Sequence, residues 1–237
     1  MEKLALTGGS KTRTKPFTSR PHVDENERKY WAHCLEEGLF SRFVGSPVKD
    51  YREQLAMTSE EALTKIEAFW SVLGGPYVRK FEAEFARKHG VKYAVASNSA
   101  TSSITSAAIA AGIKPGDEVI SSPFSFTATA TALRIAGARL VFADIDPETY
   151  CITLESIKKR VTPKTKAIVP VHILGNAGDI VRIRDFCAER GITLLEDSAQ
   201  AIHSRKNGQC LGTFGAAGMF SFQETKNIMT GEGGMAI

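Results

Sequence analysis

The sequence contains few cysteines, and their spacing excludes the two structures that cysteines most often build. Only 4 of its 237 residues are cysteine: Cys34, Cys151, Cys187 and Cys210. No two of them form a Cys-x-x-Cys pair or lie at zinc-finger spacing, so neither a metal site nor a disulfide framework is predicted. We therefore expect reduced thiols, as in a cytosolic protein.

Long apolar runs and a strong net charge are also missing. No apolar stretch is long enough to span a bilayer, and the N-terminus lacks the apolar core of a signal peptide. The net charge of +4 is too small to indicate a nucleic-acid partner. Part of it comes from basic residues near the N-terminus, which are more typical of a solvated tail than of an anion-binding arm. We predict a cytoplasmic protein that binds neither membranes nor nucleic acid.

The sequence has no Gly-x-Gly-x-x-Gly or Walker fingerprint, but from residue 76 onward short apolar runs alternate regularly with helical patterns. This alternation predicts right-handed βαβ crossovers and an α/β fold, with a mostly parallel sheet and helices on both faces. The predicted strands cover residues 93–96, 118–121, 139–143, 166–171, 193–196 and 217–222. The predicted helices cover residues 78–88, 101–112, 126–136, 154–160 and 179–190.

Residues 1–75 differ from this pattern, and we predict that they form an N-terminal arm and a helical segment outside an α/β domain over 76–237. Asp24 is the predicted N-cap of a helix that continues through Glu37 and ends at Gly38. A second helix is predicted to start at Thr58-Ser59-Glu60-Glu61, because apolar residues follow at helical spacing over 63–70. These segments indicate packing rather than chemistry.

In parallel sheets, ligands bind outside the carboxyl ends of the strands, and the first predicted strand is followed by small polar residues. The run Ser97-Asn98-Ser99-Ala100-Thr101-Ser102-Ser103 leads directly into a helix. Its hydroxyls, together with the N–H groups and the positive dipole end of the helix, suit a phosphate group. A plain Ser/Thr helix cap is the alternative explanation for the same residues.

Aromatic residues and a histidine follow the second and fourth strands. Phe124 and Phe126 could cover the face of a planar ring, although taken alone they are more typical of core residues. His172 either faces the site or is a hydrogen-bonded packing residue. These residues support a ring-shaped ligand without establishing one.

An acid and an amine follow the last two strands. Asp197 directly follows an apolar run, so its carboxylate needs a cationic partner or hydrogen-bond donors; a protonated pyridine nitrogen and Mg²⁺ both qualify. Gln200 points the same way if a helical turn begins there. Lys226 stands on a turn before the glycines at 231, 233 and 234, which permit unusual backbone conformations. An amine that forms a Schiff base and an acid that holds a pyridinium nitrogen are what pyridoxal phosphate chemistry needs.

Taken in order along the chain, these motifs resemble the DegT/DnrJ/EryC1/StrS family of sugar aminotransferases, which are fold-type-I pyridoxal phosphate enzymes. The resemblance covers roughly residues 74–237 at compatible spacing. The matching stretches are Gly74-Gly75-Pro76-Tyr77-Val78, Asn98-Ser99-Ala100-Thr101-Ser102, Pro115-Gly116-Asp117-Glu118-Val119-Ile120, Asp144-Ile145-Asp146-Pro147, Lys164-Thr165-Lys166-Ala167-Ile168, Pro170-Val171-His172, Glu196-Asp197-Ser198-Ala199-Gln200-Ala201, and Phe220-Ser221-Phe222 through Lys226-Asn227 to Gly231-Glu232-Gly233-Gly234.

The resemblance implies a role for each of the residues at the strand ends. Lys226 would be the catalytic lysine, which links to the cofactor and moves a proton, and Asp197 would keep the pyridine nitrogen protonated. Phe126 would stack on the ring, and Gln200 would pack beside it. The implied phosphate-binding residues are Thr101, Ser102, Ser221 and, through its backbone, Ala100, where the family usually has glycine.

The resemblance also implies an activity. The expected reaction transfers an amino group, with glutamate as the donor, to a keto group of a nucleotide-activated deoxysugar, in a homodimer that uses pyridoxal 5′-phosphate. A sugar dehydratase of the same fold is one alternative, but such relatives replace the lysine with histidine, so Lys226 argues against it. A non-catalytic binding or regulatory protein is the other.

Two departures from the family pattern are visible. Residues 45–73 are longer than the usual connection before the Gly-Gly-Pro-Tyr motif, and we expect them to form an insertion. Family members also continue beyond the equivalent of residue 237 into a C-terminal small domain. The chain is therefore expected to be an N-terminal fragment that ends in the last strand of the large domain.

Overall fold

The structure is a computed structural model, and it describes residues 8–11, 13–15, 23–38, 58, 60–61 and 75–237. The chain divides into two compact units, residues 1–41 and residues 42–237. The predicted helical spacing over 63–70 and most of the predicted insertion at 45–73 lie outside the described residues. The domain boundary expected between residues 75 and 76 stays a prediction.

The first unit contains helix α1, Glu25–Glu37, which confirms the helix predicted there. Asp24 caps it, because its Oδ1 accepts a hydrogen bond from the N–H of Asn26 at 2.7 Å. The Glu27 carboxylate in turn accepts from the N–H of Asp24 at 2.8 Å, which completes a capping box. Gly38 ends the helix in the left-handed conformation that glycine adopts without steric cost.

In the second unit, Thr58 and Glu61 bond to each other as a helix start requires. The N–H of Glu61 donates to Thr58 Oγ1 at 3.1 Å, and the N–H of Thr58 donates to the Glu61 carboxylate at 2.8 Å. Residues 60 and 61 are helical, as the sequence predicted. Among the described helices, none is long and apolar enough to cross a membrane.

The rest of the second unit alternates strands and helices as predicted. In chain order the elements are α2 Pro76–His89, β1 Val95–Ser97, α3 Ala100–Ala110, β2 Glu118–Ser121, α4 Thr127–Ile135, β3 Arg139–Phe142, α5 Leu154–Lys158, β4 Thr165–Val169, a 3₁₀ turn Ile173–Gly175, α6 Ile180–Arg190, β5 Thr193–Asp197, β6 Arg205–Lys206, β7 Gln209–Cys210, β8 Ala217–Ser221 and β9 Gly234–Ala236. The short hairpin β6–β7 is an addition to the predicted elements.

Seven strands form the main sheet in the order β1-β9-β8-β5-β4-β2-β3. Strands β8, β5, β4, β2 and β3 pair in parallel, whereas β9 runs antiparallel to both of its neighbours. The α/β fold with a mostly parallel sheet is therefore confirmed. Because parallel strands end at the same edge of a sheet, the loops after β2, β4, β5 and β8 meet there.

Successive residues of the central strands point into two different cores, as the two-residue period of a strand requires. In β5, Leu194 joins the cluster that contains Ile183 and Phe186 of α6, and Leu195 joins the cluster that contains Ile104 of α3 and Leu133 of α4. Both sheet faces are thus covered, which explains why these strands are apolar at successive positions. The same alternation sends Glu196 toward the α6 side and Asp197 toward the side of α3 and α4.

A third core cluster holds α2 against β8. Phe85 and Ala86 of α2 pack with Phe220 and Phe222. The Phe85 and Phe220 rings meet edge to face, with centroids 5.1 Å apart, a geometry that aromatic pairs favour.

Strand β9 passes unusually close to the start of α3, and a glycine makes this possible. A Cβ at Gly234 would lie 2.3 Å from the carbonyl carbon of Ser99 and 2.5 Å from the amide nitrogen of Ala100. Gly234 pairs with Ser97 on one side and with Ser221 on the other. The contact therefore brings the end of β8 next to the N-terminus of α3.

Candidate active site

A cavity of about 570 Å³ opens at the carboxyl ends of the parallel strands. The segments that follow β1, β2, β4, β5 and β8 line it. Its lining contains all of the predicted site residues except Ser102, namely Ala100, Thr101, Phe126, Asp197, Gln200, Ser221 and Lys226. The volume lies within the range that small-molecule and cofactor sites usually occupy.

The N-terminus of α3 forms one end of the cavity. Ser99 is the N-cap, and its Oγ accepts a hydrogen bond from the N–H of Ser102 at 3.2 Å. The N–H groups of Ala100 and Thr101, in the first turn, have no partner within the helix, as at any helix start. The Ser99 cap therefore leaves room for the predicted anion-binding role. Ser99 supplies the cap, and the first-turn N–H groups remain for an anion.

Asp197 is buried, with 3% of its surface exposed, and both carboxylate oxygens accept hydrogen bonds. Oδ2 accepts from the Thr129 hydroxyl at 2.6 Å, and Oδ1 accepts from the N–H of Ala199 at 3.1 Å. Burial raises the pKa of the Asp197 carboxyl, against the opposing effects of Thr129, Ala199, His172 and Lys226. A cationic partner in the cavity would stabilise the ionised form.

Lys226 lies in the loop that follows β8. Its N–H donates a hydrogen bond to the carbonyl of Gln223 at 2.9 Å, which closes a turn. The side chain is half-buried and lines the cavity. Its charge is close enough to lower the pKa of Asp197. Its amine forms no hydrogen bond with the part of the chain that the structure describes. The cavity thus presents an amine and a buried acid together.

Phe124 and Phe126 are exposed, at 48% and 75%, so their interpretation as core residues is wrong. Both follow β2 at the sheet edge, where the turn into α4 carries them out of the core. Phe126 is the N-cap residue of α4 and lines the cavity. Phe124 instead packs against Tyr150, with ring centroids 5.6 Å apart.

Gln200 and Ser221 reach the cavity from the ends of β5 and β8. The Gln200 side-chain oxygen accepts a hydrogen bond from the N–H of Leu174 at 2.8 Å, which holds the left-handed backbone of that residue in place. Ser221 is the last residue of β8, and its Oγ accepts from the N–H of Gln223 at 3.4 Å. Ser221 pairs with Gly234, which packs against the start of α3.

The family model of the DegT/DnrJ/EryC1/StrS aminotransferases matches residues 53–237. The chain belongs to this family. The GDP-perosamine synthase of Vibrio cholerae is 36% identical over 217 residues, which are 92% of this chain and 51% of that protein. The chain spans about half the length of the curated relatives it matches.

Solved structures of similar proteins agree with the family. DesI, in the presence of its TDP-sugar product, matches 99% of this chain and 52% of its own at 32% identity, with a TM-score of 0.72. A GDP-4-keto-6-deoxymannose-3-dehydratase with a trapped PLP-glutamate geminal diamine matches 69% of this chain and 44% of its own at 39% identity, with a TM-score of 0.65.

Four features of the cavity fit pyridoxal phosphate, the group bound in that dehydratase. Asp197 is a buried acceptor suited to a protonated ring nitrogen, and Phe126 offers an aromatic face. The N-terminus of α3 offers N–H donors suited to a phosphate. Lys226 supplies the amine. The groups that line the cavity of this DegT-family chain therefore match the functional groups of the cofactor.

His172 lies outside this cavity and is a hydrogen-bonded packing residue, one of the two possibilities the sequence left open. Its Nε2 lies 2.8 Å from the Glu196 carboxylate. Glu196 is fully buried and also accepts from the N–H groups of Gly212, Phe214 and Gly215, at 2.6 to 2.8 Å. Glu196 thereby ties the 212–215 loop to β5 on the sheet face opposite Asp197.

Thr129 and Ser125 are cavity residues that were not among the predicted site residues. The Ser125 hydroxyl lies 2.8 Å from Thr129 Oγ1, which in turn lies 2.6 Å from Asp197. A signal was available: Thr129 follows Phe126 by three residues, so the two share a face at the start of α4. Only Phe126 of this segment was predicted to be a site residue.

Proposed function

We propose that the full-length protein is a pyridoxal phosphate-dependent aminotransferase that transfers an amino group, with glutamate as the donor, to a keto group of a nucleotide-activated deoxysugar. The observation that carries the proposal is that Lys226 and Asp197 line the same cavity at the N-terminus of α3. Because the chain spans about half of its relatives' length, the activity is proposed for the whole protein.

Each cavity residue has one task in this proposal. Asp197 would accept a hydrogen bond from the protonated ring nitrogen and keep the proton on it, and Phe126 would cover the ring and exclude water. The N–H groups of Ala100 and Thr101, with the hydroxyls of Thr101 and Ser221, would bind the phosphate. Ser102, whose N–H donates to the Ser99 cap, would support this helix start from outside the cavity. Lys226 holds the cofactor through its amine and afterwards moves a proton at the substrate carbon. Pyridoxal phosphate, when bound, supplies the electron sink for this chemistry.

The names of similar proteins support the substrate class. The Vibrio cholerae relative is a GDP-perosamine synthase, and DesI was solved with a TDP-sugar product. These names differ in the nucleotide, so the proposal stops at a nucleotide-activated sugar. The proposal includes a cytoplasmic location, since nucleotide-activated sugars are polar substrates, and the homodimer that the family resemblance implies.

Spectroscopy of the full-length protein tests the cofactor assignment. Mixed with pyridoxal phosphate, it is expected to develop the visible absorption band of lysine-bound cofactor, and glutamate is expected to remove that band by converting the cofactor to its amine form. Lys226→Ala should abolish the band because the linking amine is gone. Lys206→Ala, which removes an exposed lysine of β6, should leave it unchanged. An identical band in the Lys226 variant would refute the assignment.

A dehydratase is the second candidate, because a dehydratase structure is among the similar ones at 39% identity. The two activities give different products from the same sugar. Transfer of the amino group incorporates ¹⁵N from labelled glutamate into the sugar, whereas dehydration removes an oxygen and leaves no nitrogen. A cofactor band that glutamate does not change would instead favour a binding or regulatory protein.

A further inference from the structure

A chain of two hydroxyls ends on the buried carboxylate of Asp197. Ser125 Oγ lies 2.8 Å from Thr129 Oγ1, and Thr129 Oγ1 lies 2.6 Å from Asp197 Oδ2. Thr129 is 3% exposed, and all three side chains line the cavity. A distance of 2.6 Å is typical of a hydroxyl that donates to an ionised carboxylate.

The direction of this chain depends on the charge of Asp197. A hydroxyl has one proton to donate, so if Thr129 donates to an ionised Asp197, it accepts in turn from Ser125. If Asp197 were protonated on Oδ2, that oxygen would donate to Thr129 instead, and both hydroxyls would reverse. The pair of hydroxyls therefore stabilises the ionised carboxylate in one orientation.

Other groups act on the same carboxylate from each neighbouring segment. The N–H of Ala199 holds Oδ1, Lys226 contributes a positive charge from the loop after β8, and His172 acts from the end of β4. Glu196, on the adjacent position of β5, points to the opposite sheet face. Among the influences that lower the pKa of Asp197 against its burial, the hydrogen bond from Thr129 is the largest.

We propose that Thr129, supported by Ser125, is a positioning residue that keeps the Asp197 carboxylate ionised and directed into the cavity, so that the site selects a ring with a protonated nitrogen. The inference rests on the proposed function for the identity of that ring. It adds a residue on α4 to the determinants of cofactor choice, which otherwise lie at the strand ends.

The test compares two ligands that differ only in the ring nitrogen: pyridoxal phosphate and its 1-deaza analogue, in which a C–H replaces that nitrogen. Binding of each to the full-length protein is measured at equilibrium by fluorescence. The wild type is expected to prefer pyridoxal phosphate. Thr129→Val keeps the shape but removes the hydroxyl, and it should reduce that preference about tenfold, as expected for the loss of a hydrogen bond to a charged group.

Three further variants separate positioning from packing. Thr129→Ser keeps the hydroxyl and loses a methyl group, so it should retain the preference. Ser125→Ala should weaken the preference less than Thr129→Val does. Thr131→Val removes an exposed hydroxyl from the same helix and should have no effect. As the pH is lowered, Thr129→Val should lose the preference at a higher pH than the wild type does. Without the hydroxyl the pKa of Asp197 is higher, so its carboxylate is protonated at a higher pH.

Two outcomes would overturn the inference. If Thr129→Val weakens both ligands equally, or if Thr129→Ser behaves like Thr129→Val, the residue acts by packing alone. A preference for pyridoxal phosphate that is as strong in Thr129→Val as in the wild type would also contradict the inference. A wild-type protein that binds neither ligand is a different result, because it would refute the proposed function.

Discussion

At the scale of the residue, Asp197 is a buried carboxyl group, and burial disfavours its negatively charged form. Burial raises its pKa in the folded protein above the unfolded value. The native state then holds this proton more tightly than the unfolded chain does. The stability that the group contributes is fully present below its unfolded pKa and is lost as the pH rises through the folded pKa.

We therefore expect Asp197→Asn to stabilise the cofactor-free protein relative to the wild type as the pH rises from about 4 to about 7. Asparagine has no charge to bury, so its free energy of unfolding does not carry this pH dependence. Urea unfolding of the cofactor-free, full-length proteins at both pH values measures the difference. A gap between the two proteins that is independent of pH would contradict the expectation.

The residues at the strand ends show what the sequence could and could not predict at this scale. Asp197 stood out because a charged residue directly after an apolar strand needs a partner, and Lys226 stood out because it is on a turn before a glycine-rich stretch. Thr129 did not, because a threonine near a helix start is ordinary, and its importance comes from Asp197, which is distant in sequence. Phe126 was ambiguous, since an aromatic residue packs equally well in a core or over a ligand.

At the scale of the element, the N-terminus of α3 depends on the strand that crosses it. A Cβ at Gly234 would overlap backbone atoms of Ser99 and Ala100, and backbone atoms cannot rotate away. Gly231 lies in the same glycine-rich stretch, but its Cβ position is open, and its requirement is a φ of +85°. The two glycines are needed for different physical reasons, although the sequence suggested unusual conformations for both.

Gly234→Ala is expected to lower the free energy of unfolding of the full-length protein by about 2–3 kcal/mol, the usual cost of overpacking. It should also weaken the binding of pyridoxal phosphate, because α3 must shift. Gly231→Ala should cost about 1 kcal/mol through backbone strain and leave cofactor affinity nearly unchanged. Denaturant unfolding and equilibrium binding measure both. Equal losses in the two variants would contradict the close-approach argument.

The elements themselves followed from hydrophobic periodicity wherever both faces of a strand are covered. Strand β2 has the predicted bounds, Glu118–Ser121, since it lies inside the sheet. Strand β1, at the sheet edge, was predicted at 93–96 but spans Val95–Ser97, because its single neighbour β9 fixes its register. The hairpin β6–β7 has two-residue strands, which are too short to leave a pattern.

At the scale of the whole molecule, a ligand that binds only the folded state must stabilise it. Pyridoxal phosphate at a hundredfold excess over its dissociation constant is expected to raise the free energy of unfolding of the full-length protein by about 2.7 kcal/mol. Lys226→Ala should lose much of this gain, since the linking amine is absent. Thermal unfolding with and without cofactor measures it. An unchanged melting temperature for the wild type would contradict the proposal.

The topology also governs the order in which the site is assembled during synthesis. Strand β1 leads directly into the helix start proposed to bind phosphate, and its sheet neighbour is β9, which is made far later. Among the described strands β1 pairs only with β9, so it stays unpaired with them until β9 emerges from the ribosome, and long-range pairing of this kind is slow. The first segment of the site to be translated is therefore among the last to acquire its final position.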